Sequence, residues 1–310
     1  MSTPIADMGL WQRMYERVQA QSWPKSTLYV VATPIGNLGD FSLRAHQALS
    51  GSDVIAAEDT RSTRPLLEAW GINTPLMAAH RHNEAQAAAQ IVERLAAGER
   101  VALVSDAGAP AVSDPGGRIV RAVRQAGYQV VPIPGASAVI TALMASGVTT
   151  DENPAFVFAG FAPTKTQARQ KWLQSWATLE APVVFFESPH RISATVKQLA
   201  ELFANRKLSV ARELSKRFEE IYTGTTPEVA QWLDSAAHHR QGEFVLILHA
   251  AVQTAPTTQL DNQTQQWLAA LLEQVSARDA VKIAVKATGL GRSLIYDWVV
   301  AQKKPSAQPK

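Results

Sequence analysis

The chain has 310 residues, 46% of them hydrophobic and 18% charged, enough length and apolar content for two domains with cores of their own. It contains no cysteine, which excludes disulfides, thiolate metal sites and a cysteine nucleophile. The net charge is only +3, yet residues 275–310 hold seven basic residues against Asp279 and Asp297, a local excess of +5. That excess suits a polyanionic partner, and a solvated helix face explains it equally well.

The seven histidines show no HExxH-type spacing. His80, His82, His238 and His239 read as satisfied or solvated side chains, and no metal is expected. No apolar run approaches the roughly 20 residues that cross a membrane. Residues 1–26 lack the continuous apolar core of a signal peptide and read as a tail, so the cytoplasm is the expected compartment.

In chain order, residues 27–32 are apolar and β-rich, a first strand, and run into Thr33-Pro34-Ile35-Gly36-Asn37-Leu38-Gly39-Asp40, too rich in Pro and Gly for helix. Ser42 or Asp40 caps a helix through Leu49. Residues 54–57 are a second strand ending in Glu58-Asp59-Thr60-Arg61, and Pro65 opens a short helix that Gly71 ends. Asn83 caps a helix stopped at Gly98. Residues 101–104 are a buried strand, followed by the small-residue loop Ser105-Asp106-Ala107-Gly108-Ala109-Pro110. Asp114-Pro115 then reads as the N-cap and first position of a helix over 117–125. A strand at 129–133, the turn Pro134-Gly135-Ala136-Ser137 and a helix over 138–146 complete the first half.

This alternation predicts an open, largely parallel sheet over residues 27–150. A second α/β domain over 151–250 has strands at 156–159, 183–186, 208–212, 218–223 and 244–248, with helices at 166–177, 188–203 and 226–236. Two strands separated only by residues 213–217 predict an antiparallel part. Residues 251–260 read as a linker, 261–303 as a helical extension and 304–310 as a basic tail. Within the extension, Ser276 with Asp279, and then Ser293, cap helices that flank Gly289 and Gly291, a helix-turn-helix outline. The fold class is therefore α/β, two α/β domains plus a small helical extension.

Loops at the carboxyl ends of parallel strands are where open α/β sheets bind ligands. GxGxxG, GxxxxGK[ST] and GxSxG are all absent, which disfavours dinucleotide, P-loop and hydrolase chemistry. Polar clusters stand instead at the ends of apolar strands, as Glu58-Asp59-Thr60-Arg61, Glu187-Ser188-Pro189-His190-Arg191 and Arg212-Glu213-Leu214-Ser215-Lys216. One such cluster is more often a helix cap or surface pair, but three at equivalent points suggest one cleft.

The stretches LYVVATPIGNLGD (28–40), IAAEDTRST (55–63), HNE (82–84), ALVSDAGAPAVSDPG (102–116), VVPIPGASAVITAL (130–143), FFESPHR (185–191), ARELSK (211–216) and GEFVLIL (242–248) carry a resemblance. In them the chain resembles the tetrapyrrole methylase superfamily. Within it, the chain is most similar to the bacterial branch that methylates the ribose 2′-hydroxyl of a cytidine in the decoding centre of 16S ribosomal RNA. AEDTR, ESPHR and ARELSK separate that branch from relatives acting on corrinoids or diphthine. The resemblance implies two α/β domains around a deep cleft, S-adenosylmethionine folded into it, a homodimer, and the small ribosomal subunit as partner.

The resemblance also implies site residues. Ala109 stands where the superfamily has an acid, and Asp106 beside Gly108 is the nearest substitute. Val112 supplies a backbone contact to the cofactor, and Ser137 and Ala138 match the contacting turn after the next strand. Phe186, Ala211 and Gly242-Glu243 close over the adenosine, with Pro34 near the methyl donor. The ribose hydroxyl is a weak acid and needs a base or cation, for which Glu187, Glu213 and Lys216 are the candidates, with Arg212 beside them. Arg61, Arg191 and Arg212 suit phosphate clamping, and Lys282, Lys286 and Arg292 suit the RNA. For each group in the cleft an internal ion pair is an equally good reading, and the general base stays open. Two other functions fit in part: a small-molecule methyltransferase of the same superfamily, and a nucleic-acid-binding regulator that uses the C-terminal helices and has no need of the sheet-edge loops.

Overall fold

The computed structural model describes residues 8–251, 260 and 262–302. The chain divides into two compact units, residues 1–251 and 252–310. The first unit holds two five-stranded sheets.

The first sheet is built from β1 (Thr27–Val31), β2 (Val54–Ala57), β3 (Leu76–Ala78), β4 (Arg100–Val104) and β5 (Gln129–Ile133). Its order is β3-β2-β4-β1-β5 and every pairing is parallel. Its helices are α1 (Met8–Gln19), α2 (Leu43–Ser50), α3 (Thr60–Ala69), α4 (Glu84–Ala96), α5 (Gly117–Gln125) and α6 (Ala138–Ser146). The two-residue period of the strands sorts their side chains between two cores. Leu28, Val101 and Leu103 pack with Ile91 and Leu95 of α4 and Ile119 and Val123 of α5. Tyr29, Val31, Ala102 and Val104 pack on the other side with Ala45 and Leu49 of α2 and Leu67 of α3. Being apolar on both faces is why β4 reads as an unbroken hydrophobic run. Each fully buried Leu or Ile contributes about 1.5–3 kcal/mol.

Several boundaries differ from the sequence reading. Residues 8–19, expected as tail, form α1, held to α2 by Tyr15 Oη at 3.0 Å from His46 Nδ1. The helix expected to open at Pro65 starts at Thr60 and is capped by Asp59, whose Oδ1 accepts from the Arg61 N–H at 2.8 Å. Pro65 lies inside it, at the cost of one backbone hydrogen bond. Strand β3 was not expected; it is a three-residue edge. Gly116, with φ 126°, and not Asp114, precedes α5, and the cap comes from another helix. Glu84 Oε1 of α4 accepts from the backbone N–H groups of Gly116 at 2.9 Å and Arg118 at 3.0 Å.

The second sheet comprises β6 (Val157–Phe161), β7 (Val183–Glu187), β8 (Lys207–Arg212), β9 (Glu220–Thr225) and β10 (Phe244–Leu248), with α7 (Thr166–Gln174), α8 (Ile192–Leu202) and α9 (Thr226–Ser235). Its order is β6-β7-β10-β8-β9; β6 and β7 are parallel and the other pairings antiparallel. The last strand in sequence is therefore the central one. Val183, Phe185, Val210, Phe244 and Leu246 face a core shared with Leu173 of α7, Val196 of α8 and Val229 of α9. Val184, Ala211, Val245 and Ile247 face the other way, onto Ile35 and onto Val139, Ala142 and Leu143 of α6. This second core joins the two halves of the unit.

The unit of residues 252–310 contains α10 (Asn262–Gln274), α11 (Ala277–Thr288) and α12 (Arg292–Gln302) around Leu260, Leu268, Ala280, Val281, Ala284, Ile295 and Val299. Ser276 caps α11, its Oγ accepting from the Asp279 N–H, and Gly289 ends it in the left-handed conformation. Ser293, expected as a cap, lies inside α12, which starts at Arg292. Lys303, Lys304 and Lys310 of the basic excess, and most of the expected linker, lie outside the described residues. No described helix is long and apolar enough to cross a membrane.

Candidate active site

The parallel register of β1, β4 and β5 brings their carboxyl ends to one edge. There the β1 and β4 loops are joined by a two-way backbone bridge, Thr33 N to Gly108 O at 2.9 Å and Gly108 N to Thr33 O at 3.1 Å. Gly108 takes φ 75°, and a Cβ on it would stand 3.3 Å from Ile35 Cγ2. Farther along the loop, Ala111 and Ser113 both have positive φ, at 65° and 69°. Non-glycine residues in this region cost on the order of 1–3 kcal/mol each and persist where the surroundings fix them. Val112 stands between these two, half exposed, with its backbone set by their strain.

Across the second core lies a cavity of about 320 Å³, lined among others by Ile35, Ala138, Phe161, Phe186, Leu214 and Glu243. Ala138, Phe186 and Glu243, three of the expected cofactor contacts, line this one cavity. Ala211 sits on the same sheet face as Phe186 and Val245, since Val245 is in register with both. Ser137 precedes α6 without a side-chain cap bond. Gly135 lets its loop approach β1, because a Cβ there would be 3.0 Å from the Ala32 carbonyl oxygen. Pro34 and Ala109 fall in the two bridged loops. Asp106 is engaged by the β2–α3 turn: its Oδ1 accepts from Ser62 Oγ at 2.6 Å and from the Asp59 N–H at 3.1 Å.

The register of the second sheet separates the expected catalytic cluster into two groups. Phe244 is directly opposite both Glu187 and Arg212. In-register partners point to the same face, and Phe244 points to the helix-covered core. Glu187 and Arg212 therefore turn away from the face carrying Phe186 and Ala211. β7 and β8 are not neighbours, since β10 lies between them. Glu187 borders the cavity, but its side chain has no exposure. It accepts from Ser188 N at 2.7 Å and Thr195 Oγ1 at 2.6 Å, and pairs with Arg191 at 2.7 Å. Arg191 also donates to the Ala162 carbonyl and to Ser188 Oγ. Arg212 donates to the carbonyls of Gln241 and Phe218 and to Glu220 Oε2 at 3.1 Å. These three are internal ties.

Glu213, Lys216 and Glu243 form the second group, at the cavity. Lys216 Nζ donates to Glu213 Oε1 at 3.1 Å and Glu243 Oε2 at 3.0 Å, and the Glu243 N–H donates to Glu213 Oε1 at 3.0 Å. Burial works against the Glu213 carboxylate, but the Glu243 N–H and Lys216 outweigh it and hold the group below its ordinary value. Burial likewise works against the Lys216 ammonium, and the two glutamates outweigh it and raise its pKa. Glu213 and Ser215 have positive φ, 49° and 65°, so this loop is strained, as is the one around Val112.

The ends of β2 and β4 form an acidic rim. Burial, then Asp106 and Asp114, push the Glu58 carboxyl up. Burial also raises Asp114, partly offset by the Ser105 hydroxyl. Asp59 is held down at about 2 by Arg61, whose guanidinium grips it at 3.1 and 2.8 Å while 89% exposed. In the helical unit Lys282 and Lys286 are exposed one turn apart on α11, and Arg292 is exposed at the start of α12.

The model of the family Tetrapyrrole (Corrin/Porphyrin) Methylases matches residues 27–230, two thirds of the chain. The chain belongs to the tetrapyrrole methylase family. A second model, the RsmI C-terminal HTH domain, matches residues 258–303 of this methylase. A ribosomal RNA small subunit methyltransferase I of Neisseria meningitidis serogroup B is 45% identical over 277 residues, covering 89% of this chain and 94% of that protein. The protein of that name from Xylella fastidiosa is 43% identical over 272 residues, covering 87% and 97%. Among solved structures, the uroporphyrin-III C-methyltransferase of Thermus thermophilus complexed with S-adenosylhomocysteine shares the fold at 17% identity. Its TM-score is 0.50, covering 74% of this chain and 99% of that one.

Proposed function

We propose that this methylase transfers a methyl group from S-adenosylmethionine to the ribose 2′-hydroxyl of a cytidine in 16S ribosomal RNA of the small subunit. The observation that carries this reading is the match, over 87–89% of this chain, to proteins named for small-subunit ribosomal RNA methylation. The apolar cavity, the bridged loops at Thr33 and Gly108 and the strained backbone around Val112 suit a flat nucleoside ligand. Phe186, Ala138, Ala211 and Gly242-Glu243 would hold the adenosine portion, and Pro34, Gly108, Ala109, Val112 and Ser137 the rest. The cofactor supplies an electrophilic methyl group.

The chain's own residues then have four tasks. The apolar walls exclude water and hold oxygen and methyl in line, the largest source of acceleration in such a displacement. Glu213, Lys216 and Glu243 fix the loop that closes the cavity; a carboxylate already held down by two donors is a weak base. A base works best with its pKa raised toward neutrality. Glu58 follows β2 with its Oε2 3.5 Å from the Asp106 N–H of the β4 loop, and burial with Asp106 and Asp114 pushes its carboxyl up; it is the group we assign to receive the hydroxyl proton. Lys282, Lys286 and Arg292 suit phosphate contacts. Ile140 and Met144, 48% and 81% exposed one turn apart on α6, give an apolar face that suits a second copy, as in a homodimer. A ribosomal RNA substrate suits a cytoplasmic protein.

Mapping ribose methylation along 16S RNA from cells lacking this protein tests the reading. One cytidine should lose its 2′-O-methyl group and regain it on complementation; retention of every site sinks the proposed substrate.

A further inference from the structure

No spacing in the sequence links Glu220 to His238 and His239, yet the fold brings one donor atom of each within 4.8 Å of the others. Glu220 opens β9, in register with Arg212 at the end of β8. The two histidines lie in the single 3-10 turn Ala237–Arg240, which leads into Gly242, Glu243 and β10. We propose that Glu220, His238 and His239 form a structural site for a divalent transition-metal ion, with zinc the best fit.

His239 is held as a ligand is held. Its Nδ1 lies 2.7 Å from the Trp232 carbonyl oxygen, an acceptor, so Nδ1 carries a proton and Nε2 is the ring nitrogen left for a metal ion. That Nε2 faces Glu220 Oε1 at 3.7 Å. The imidazole is stacked on Trp232 at 4.2 Å, and Trp232 on Tyr222 at 4.9 Å and 2°. Only 9% of the residue is exposed. Glu220 is oriented too, because its other oxygen, Oε2, accepts from Arg212 at 3.1 Å. Ligands whose far side is fixed by a carbonyl or a charged donor are the usual outer shell of a metal centre.

The donor set also favours this ion. Two imidazoles and a carboxylate, with no sulfur, suit zinc, leaving a fourth position for water. Tetrahedral bonds of about 2.0–2.1 Å put donors roughly 3.4 Å apart; His239 Nε2 and Glu220 Oε1, at 3.7 Å, are already near that spacing, and the exposed His238 ring swings in to complete a set whose donors lie within 4.8 Å of one another. A simple ion pair accounts for Glu220 and His239 but not for the second imidazole, whose ring centre is 4.3 Å from that of His239. An ion here would tie the turn to the sheet edge two residues before Gly242 and so stiffen the wall of the cofactor cavity that Glu243 lines.

The test uses the tag-free full-length chain stripped of metal, titrated with zinc by calorimetry and with cobalt by visible absorption. We expect one ion per chain, tetrahedral cobalt bands and a zinc-dependent rise in melting temperature. His238→Gln, at an exposed position that supports nothing else, should fold normally, bind at least about tenfold more weakly and lose the zinc-dependent rise; His239→Gln should do the same to binding. Absence of saturable binding overturns the proposal. So does binding that survives both variants, or that disappears instead in His82→Gln, whose ring lies 6.0 Å from that of His80.

Discussion

Gly36 and Lys216 meet where the two halves of the large unit close on each other. A Cβ on Gly36 would stand 2.5 Å from Lys216 Cγ, and the φ of Gly36 is +138°, a value L side chains rarely adopt. Beside this contact, Ser215 Oγ of the second half donates to Asp40 Oδ2 of the first. The loop over 213–216 is thus clamped to the loop over 33–40, and Lys216, pressed on Gly36, reaches back to Glu213 and Glu243 at the cavity. Gly36→Ala should therefore lower stability by on the order of 1–3 kcal/mol and weaken S-adenosylhomocysteine binding as well. Thermal melting and calorimetry check the two effects; a variant with unchanged cofactor affinity would show that the clamp does not shape the cavity.

Glu187→Gln separates structure from chemistry. The carboxylate is fully buried with three partners, Arg191 among them. Removing its charge leaves Arg191 poorly paired, and stability should fall by roughly 3 kcal/mol, the low end for breaking a buried ion pair. Single-turnover methylation by the folded fraction should be unchanged. A loss of about a hundredfold with normal melting would return Glu187 to the chemistry.

The strand and helix pattern was legible because apolar runs and Gly, Pro and Ser stops mark it locally, as at 129–133 and 138–146. At the candidate site, the loops that end the strands were legible, and the grouping of the charged residues beside them was not. Phe186 and Glu187 are adjacent, and the two-residue period sends one to the cavity and the other into the helix-covered core. Which is which depends on packing against α6 and on β10 arriving between β7 and β8, contacts distant in sequence. The same holds for the cap of α5: Asp114-Pro115 is a sound local signal, overridden by a carboxylate thirty-odd residues earlier. Likewise Glu220 and His238-His239 meet only through the turn before β10.

That distant cap is itself testable. Glu84 takes two N–H groups at the start of α5, beside the strained residues around Val112. Glu84→Ala should cost about 1–2 kcal/mol, as loss of a good N-cap does. It should also loosen the loop, raising hydrogen exchange at residues 111–118. Unaltered exchange there would confine Glu84 to helix capping.

Salt dependence tests the helical unit. If Lys282, Lys286 and Arg292 touch phosphates, the logarithm of RNA affinity should fall linearly with that of salt concentration. Each substitution to alanine should reduce the slope by about 1. Deleting residues 260–310 should weaken binding to the small subunit while leaving S-adenosylhomocysteine affinity intact. Identical slopes for the triple variant and the parent would make these charges solvated surface.

Glu58→Gln tests the proton acceptor. The folded chain raises the Glu58 pKa by burial and by Asp106 and Asp114. The unfolded chain therefore releases this proton first as pH rises. Below the ordinary glutamate pKa the group costs the fold nothing; between that value and the raised one stability falls with pH, and above it the loss is complete. Once ionised, the carboxylate is thus a destabilising group. Glu58→Gln should raise the melting temperature at neutral pH, and the gain should vanish in acid. The same substitution should lower single-turnover methylation by about a hundredfold or more and abolish the acid limb of its pH profile, which in the parent should lie above the ordinary glutamate range. A variant that melts lower yet methylates normally would make Glu58 a structural residue and leave the hydroxyl proton to solvent.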